Sequence, residues 1–209
     1  TPIQLSAQRL RKRYLNQFGQ DGAIFDECTK TIITQVEELK NLVNEFSSFA
    51  RMPAANPTPN QLNEIIREAM VLYEAGHRQI RFEFKPDDKI PVFNLDKEQI
   101  KRVIVNLLDN AVSAVGAVAG KDGGGQILIE SQLDPLMNLA RIEVADNGCG
   151  VAPEDKPLLF EPYFSTKPSG TGLGLAIVNS IISDHHGYIR VKENLPRGTR
   201  FIIELPLKQ

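Results

Sequence analysis

The chain has 209 residues, 42% hydrophobic and 24% charged, with a formal net charge of −2. That suits a globular protein of one ordinary domain plus a smaller one, and the near-neutral balance excludes a strong global field toward nucleic acid or a membrane surface. Two cysteines, Cys28 and Cys149, with no CxxC pair exclude a disulfide framework or a zinc ribbon, and no apolar run approaches the roughly 20 residues that span a bilayer.

The first helix is predicted from Ile3, Ala7, Leu10 and Tyr14, which recur at helical spacing, with Arg9, Arg11, Lys12 and Arg13 on its wet face. Gly19-Gln20-Asp21-Gly22 reads as a turn. A second helix carries Ile32, Val36, Leu39, Val43, Phe46 and Ala50 in steps of four and three, a heptad seam that Leu42 and Phe49 widen. Two amphipathic helices with a short connection make an antiparallel hairpin. One such hairpin cannot cover its own apolar stripe, whereas two copies packed as a four-helix bundle can. A homodimer through residues 1–52 is therefore expected; the alternative is a hairpin folded against the C-terminal part of the same chain. Met52-Pro53-Ala54-Ala55-Asn56-Pro57-Thr58-Pro59 holds three prolines and cannot continue a helix. It divides a helical domain, 1–54, from a second domain, 55–209.

Thr58-Pro59-Asn60-Gln61 reads as a capping box with proline at the first helical position, opening a helix through Ile65, Ile66, Met70 and Leu72. Asp96 with Gln99 reads as a second cap, before a long helix through Ile100, Val103, Ile104, Leu107 and Leu108. Strands are predicted at Ile127–Ile129, Arg141–Val144, Tyr188–Val191 and Arg200–Leu205, and a last helix from near Leu173 to about His185. This order predicts an α+β chain whose second domain is an α/β sandwich, one sheet with helices on one face.

Four segments carry chemistry. Val144-Ala145-Asp146-Asn147-Gly148-Cys149-Gly150 ends a strand in an aspartate with a glycine-spaced turn after it. A carboxylate there can accept the exocyclic amine of adenine, although a plain Asp-Asn-Gly turn reads the same way. Gly170-Thr171-Gly172-Leu173-Gly174-Leu175 precedes an apolar helix, whose N-terminus offers N–H groups and partial positive charge to phosphates. The loop lacks the Lys-Ser/Thr of a P-loop and the preceding strand of a dinucleotide fingerprint. Asn106 and Asn110, four apart in Asn106-Leu107-Leu108-Asp109-Asn110-Ala111, share a helix face. Their amides need partners, either a hydrated Mg²⁺ with phosphate oxygens or neighbouring helices. Leu159-Phe160-Glu161-Pro162-Tyr163-Phe164-Ser165-Thr166-Lys167 reads as an aromatic lid with Lys167 in reach of terminal phosphates, or as loop packing.

The order of these four resembles the N box, the glycine-rich boxes and the F box of the histidine-kinase catalytic domain, within the Bergerat-fold (GHKL) ATPases. Gly198-Thr199-Arg200-Phe201 resembles that family's closing strand motif. The resemblance implies that Asp146 binds adenine beside Gly148, Gly150 and Thr199, and that Asn110 ligates Mg²⁺. It places Asn106 close to the phosphates of ATP, with a catalytic role shared with Lys167. Phe160 and Thr166 of the lid, and Gly170, Thr171, Gly172, Leu173, Gly174 and Leu175 of the loop, would complete the nucleotide site.

At the front, Thr1-Pro2-Ile3-Gln4-Leu5-Ser6-Ala7-Gln8-Arg9-Leu10 is similar to the segment directly after the phosphoacceptor box of these kinases. Glu45-Phe46-Ser47-Ser48-Phe49-Ala50-Arg51-Met52-Pro53 is similar to nitrogen-regulation sensor kinases of the NtrY type. The implied function is transfer of the γ-phosphate to a histidine, then to an aspartate on a response-regulator receiver domain. The implied setting is the cytoplasmic portion of an inner-membrane sensor, attached through segments outside these 209 residues. The acceptor histidine and its box are not among them, so autokinase activity is expected to be lost; His77, His185 and His186 all lie in the C-terminal part. An ATP-hydrolysing machine of the same fold is the competing reading. Those ATPases carry a glutamate where this chain has Asn106, and an amide cannot take a proton from water. A non-catalytic scaffold is the third.

Overall fold

The computed structural model describes residues 1–15, 22–50, 54–118, 124–167 and 170–208. The turn expected at Gly19-Gln20-Asp21 and the break at Met52-Pro53 lie outside them, as do the side chains of Phe49, Ala50 and Leu72. The chain divides into two compact units, Thr1–Met52 with Ser165–Thr171, and Pro53–Phe164 with Gly172–Gln209. No described helix is long and apolar enough to cross a membrane.

The first unit holds α1 (Pro2–Tyr14) and α2 (Gly22–Ala50). The Thr1 hydroxyl accepts from the Gln4 N–H at 3.3 Å, so α1 starts on a side-chain cap with proline next to it. Gln4 donates to Glu37 and Arg11 to Asp26, each at 2.6 Å; these pairings run the two helices antiparallel. Lys30 and Arg11 hold the Asp26 carboxyl below its ordinary range. Ala7 is buried, but Ile3, Leu10, Ile32, Leu39, Val43 and Phe46 are all exposed in the single chain.

The second unit contains β1 (Thr58–Asn60), α3 (Leu62–Gly76), β2 (Ile80–Lys85), β3 (Phe93–Leu95) and α4 (Lys97–Gly116). It continues through β4 (Gly125–Asp134), β5 (Leu139–Asp146), α5 (Gly174–Asp184), β6 (Tyr188–Glu193) and β7 (Thr199–Pro206). Five strands form a mixed sheet in the order β2-β4-β5-β7-β6, with β2 parallel to β4 and the other neighbours antiparallel. The helices cover one face. Toward them point Ile127, Ile129, Ile142, Val144, Ile189, Phe201, Ile203 and Leu205, all buried at the period-2 spacing of a half-covered sheet. The other face is charged: Arg190 and Arg141 both bond Glu204, and Arg200 bonds Glu143. Arg190 above all holds the Glu204 carboxyl below its ordinary range.

The central element is α4. Asp96 caps it, its carboxylate accepting from the Gln99 N–H at 3.1 Å, as the sequence predicts. Ile100, Val103, Ile104, Leu107, Leu108, Ala111 and Val115 come next at helical spacing and are all buried. Full burial of each Ile or Leu contributes about 1.5–3 kcal/mol, so the rotational setting of α4 is strongly determined.

Three expectations are corrected. Thr58-Pro59-Asn60-Gln61 is no capping box: Thr58–Asn60 is a strand paired antiparallel to β3, making a second, two-stranded sheet. The Asn60 amide holds it there by donating to the Leu95 carbonyl at 2.9 Å, and α3 starts one turn later, capped by the Gln61 side chain. The sheet is thus not single, and β1, β2 and β3 join the four strands expected. Beyond α5, the His186 N–H bonds the Ser183 carbonyl and the Gly187 N–H that of Ile182, with His186 at φ 55°. This is a Schellman stop with histidine in the left-handed position usually given to glycine.

Candidate nucleotide site

The end of β5 supplies a buried carboxylate. Asp146 is 4% exposed, and its Oδ1 accepts from the Gly148 N–H at 2.8 Å and the Thr199 N–H at 3.3 Å. Two donors on one oxygen fix the side-chain rotation. Thr199, also buried, opens β7. Between β6 and β7, Gly198 has φ 126° and lies against the Asp146 carbonyl oxygen so closely that a Cβ would overlap it. Only glycine allows that approach. Gly150 sits next to Gly198, 3.5 Å from its carbonyl oxygen to the place a Cβ would take. Asn147 serves the turn: it accepts from the Gln126 N–H at 2.8 Å and donates to the Gly124 carbonyl.

From this end α4 leads away. The Gly148 turn rests on Ala114, where a Cβ would come within 2.5 Å of the main chain, and the Cys149 N–H donates to the Ala114 carbonyl. Cys149 itself is exposed. Asn110 and Asn106 lie one and two turns back along the same helix, both half-buried. The Asn106 amide NH₂ donates to the Arg102 carbonyl at 2.9 Å, which leaves its oxygen directed elsewhere. A Cβ on Gly174, the first residue of α5, would lie 3.0 Å from that oxygen. The Asn106 amide and the α5 N-terminus are therefore neighbours. Eight residues separate Asn106 from Ala114, about 12 Å of helix, a span on the scale of a nucleoside triphosphate.

Leu173 is buried at the start of α5, and Leu175 is half-buried beside it. Gly172, at φ 70°, packs against the main chain of Tyr163 and Phe164, and its carbonyl accepts from the Tyr163 N–H at 3.1 Å. Tyr163 is itself left-handed, at φ 68°, a conformation that costs a bulky residue energy and marks a constrained segment. Phe160 lies half-buried just before it. Thr166, Lys167, Gly170 and Thr171 belong to the other unit. There the Lys167 N–H donates to the Ser165 hydroxyl at 3.1 Å and the Gly170 N–H to the Lys167 carbonyl at 3.2 Å. The second unit thus brings together Asn106, Asn110, Asp146, Gly148, Gly150, Thr199 and the start of α5.

Among the described residues no three His, Cys, Asp or Glu converge. Mg²⁺ keeps several waters and takes one or two hard oxygens from the protein, the rest from phosphates. The amide oxygens on α4 are donors of that kind.

Residues 95–209 match the family model described as histidine kinase-, DNA gyrase B- and HSP90-like ATPase. The chain belongs to that family. Its relatives are sensor histidine kinases. Over 208 residues it is 39% identical to the nitrogen regulation protein NtrY of Azorhizobium caulinodans, covering 100% of this chain and 27% of that one. It spans roughly a third of the length of the curated relatives it matches. Among solved structures, the catalytic domain of histidine kinase ThkA in a nucleotide-free form is 36% identical with a TM-score of 0.64, over 73% of this chain and 97% of that one. ThkA in complex with response regulator protein TrrA aligns over 98% of this chain and 58% of that one, at 27% identity and a TM-score of 0.71. The matched ATPase region contains α4, the β5 turn, α5 and β7, the elements that supply the Asn106, Asp146, Gly174 and Thr199 positions.

Sequence reasoning missed Asn194, whose amide donates to the Asp146 carbonyl at 2.8 Å. No local signal points to it, since it stands 48 residues away. It also missed the support behind α4, where the Tyr73 hydroxyl donates to Asp109 at 2.6 Å. Burial first, and that bond second, push the Tyr73 phenol well above its ordinary value.

Proposed function

We propose that the chain is the kinase core of a two-component sensor, binding Mg·ATP and passing its γ-phosphate to a histidine on a helical hairpin. An imidazole nitrogen attacks the γ-phosphorus, the bond from that phosphorus to the β,γ-bridging oxygen breaks, and ADP leaves. The phosphoryl group then moves to an aspartate of a response-regulator receiver domain. The observation that carries this reading is the Asn106 amide beside the α5 N-terminus, with Ala114, on which the turn after the buried Asp146 rests, about 12 Å further along α4. It offers a seat for phosphates at one end and for a purine at the other.

Each residue then has a role. Asp146 accepts the adenine amine, with Gly148, Gly150 and Thr199 around the base. Asn110, with Asn106 nearby, would hold Mg²⁺, which supplies charge neutralisation on the phosphates. Gly172, Leu173, Gly174 and Leu175 present the helix N-terminus. Phe160, Thr166, Lys167, Gly170 and Thr171 form the lid and loop, with Lys167 near the transferred group. Residues 1–54 serve dimerisation and 55–209 nucleotide binding. The name of the NtrY relative supports a role in nitrogen regulation, and a membrane-attached parent is proposed with it.

The test is phosphate release. With no carboxylate at Asn106 to activate water, the chain should bind Mg·ATP yet release inorganic phosphate far more slowly than the roughly 1–1000 per second of ordinary enzymes. Steady hydrolysis in that range would favour an ATP-driven machine instead.

The exposed seam on α1 and α2 supports dimerisation through a second copy. Val43→Asp or Phe46→Asp would bury a charge in the bundle, at a cost of several kcal/mol, and should convert dimer to monomer. Light scattering checks this; an unmutated chain that is monomeric at every concentration removes the bundle.

A further inference from the structure

We infer that Asn194 is a positioning residue for purine recognition, setting the direction of the Asp146 carboxylate from behind. The inference rests on the reading of Asp146 as the adenine acceptor.

Asn194 opens the connection from β6 to β7 and is half-buried. Its Nδ2 donates to the Asp146 main-chain oxygen at 2.8 Å, and its Oδ1 accepts from an Arg200 guanidinium nitrogen at 3.2 Å. The other terminal nitrogen of Arg200 donates to Glu143 at 2.9 Å. A guanidinium can only donate and a carbonyl can only accept, so the Asn194 amide has a single orientation. The Asn194 N–H donates to the Gly198 carbonyl at 3.1 Å, which closes the connection on itself. The same short loop then delivers the Thr199 N–H to the Asp146 carboxylate at 3.3 Å. Asp146 is thus held twice from one loop, at its main chain by Asn194 and at its side chain by Thr199.

Recognition depends on that hold. A purine with an amine at position 6 donates to a carboxylate there, whereas one with a carbonyl meets it acceptor to acceptor. The discrimination is directional and decays as the carboxylate turns. Without Asn194, the peptide after Asp146 is held only at its other end, by the Asn147 N–H on the Gln126 carbonyl at 3.2 Å. The main chain can then tilt and carry the carboxylate off its direction while the Gly148 and Thr199 N–H bonds keep it in the pocket. Asn194 need touch no nucleotide; it acts through Asp146.

The experiment is calorimetry on the 209-residue chain with two probes, Mg·ATP and the Mg complex of purine riboside triphosphate, which lacks the 6-amino group. The wild-type chain should favour ATP; equal affinities would overturn the adenine reading of Asp146 itself. Asn194→Ala should lower the ratio of the two affinities about fivefold, mostly through ATP, and Asn194→Ser should lower it less. Combining Asn194→Ala with Asp146→Asn should reduce the ratio no further than Asp146→Asn alone, since the two act as one unit. Both affinities are measured on the same folded population, so a lower melting temperature leaves the ratio unaffected. A wild-type ratio in Asn194→Ala, or equal weakening of both nucleotides, would overturn the positioning role and leave a merely structural residue.

Discussion

Asp146→Asn is expected to weaken Mg·ATP binding by about 1–3 kcal/mol, the range for losing a charge-assisted hydrogen bond. That is roughly five- to 150-fold in affinity. The substitution is nearly isosteric, and the amide oxygen can still accept from the Gly148 and Thr199 N–H groups, as Oδ1 does now. The turn should therefore survive. That oxygen is committed to the turn, so the amide would turn its NH₂ toward the base. The adenine amine is also a donor, and donor against donor is worse than an absent bond. Calorimetry decides it, with a melting curve to show that the fold is retained. Unchanged affinity in a folded Asp146→Asn chain would remove the adenine assignment.

The sequence made α4 and its cap legible because two independent signals agree there, the Asp96-to-Gln99 spacing and an unbroken 3.6-residue apolar stripe. The strands β4, β5, β6 and β7 were readable from alternation. β2 was not, because Arg81, Glu83 and Lys85 on its open face dilute the apolar signal of an edge strand. β1 was misread because Thr-Pro-Asn-Gln satisfies the local rules of a helix start. What decides its conformation is a contact 35 residues away, from the Asn60 amide to Leu95. The same division holds at the site. Asp146, Asn106, Asn110 and the two glycine-rich segments announce themselves by local residue type. Asn194 and Tyr73 act through single hydrogen bonds to distant partners, and no spacing rule records such bonds.

Incubated with γ-labelled ATP, the 209-residue chain is expected to gain no acid-labile phosphate. Transfer needs an imidazole nitrogen that can reach the γ-phosphorus, and the chain has three candidates. His185 is fully buried, and both ring nitrogens are engaged. Nδ1 lies 2.8 Å from the Ile181 carbonyl, to which it must donate, and Nε2 accepts from the Asp96 N–H at 3.0 Å. Phosphorylating it would break the junction between α5 and the start of α4. His77 closes α3, stacked on Tyr73 with ring centroids 5.9 Å apart and Nδ1 on the Tyr73 carbonyl. His186 is exposed but occupies the left-handed stop of α5, held by main-chain bonds, at the opposite end of that helix from Gly174. No histidine lies on α1 or α2. The same chain should label a supplied helical hairpin that does carry one, provided the two meet in solution or form a mixed dimer, because the proposed site needs only an acceptor. Asn106→Ala should abolish that transfer while ADP binding changes little, since Asn106 stands at the proposed phosphate end and not at the proposed base. Label on the 209-residue chain alone would show that one of its own histidines is the acceptor, and the assignment of the helical unit would have to be rebuilt around it.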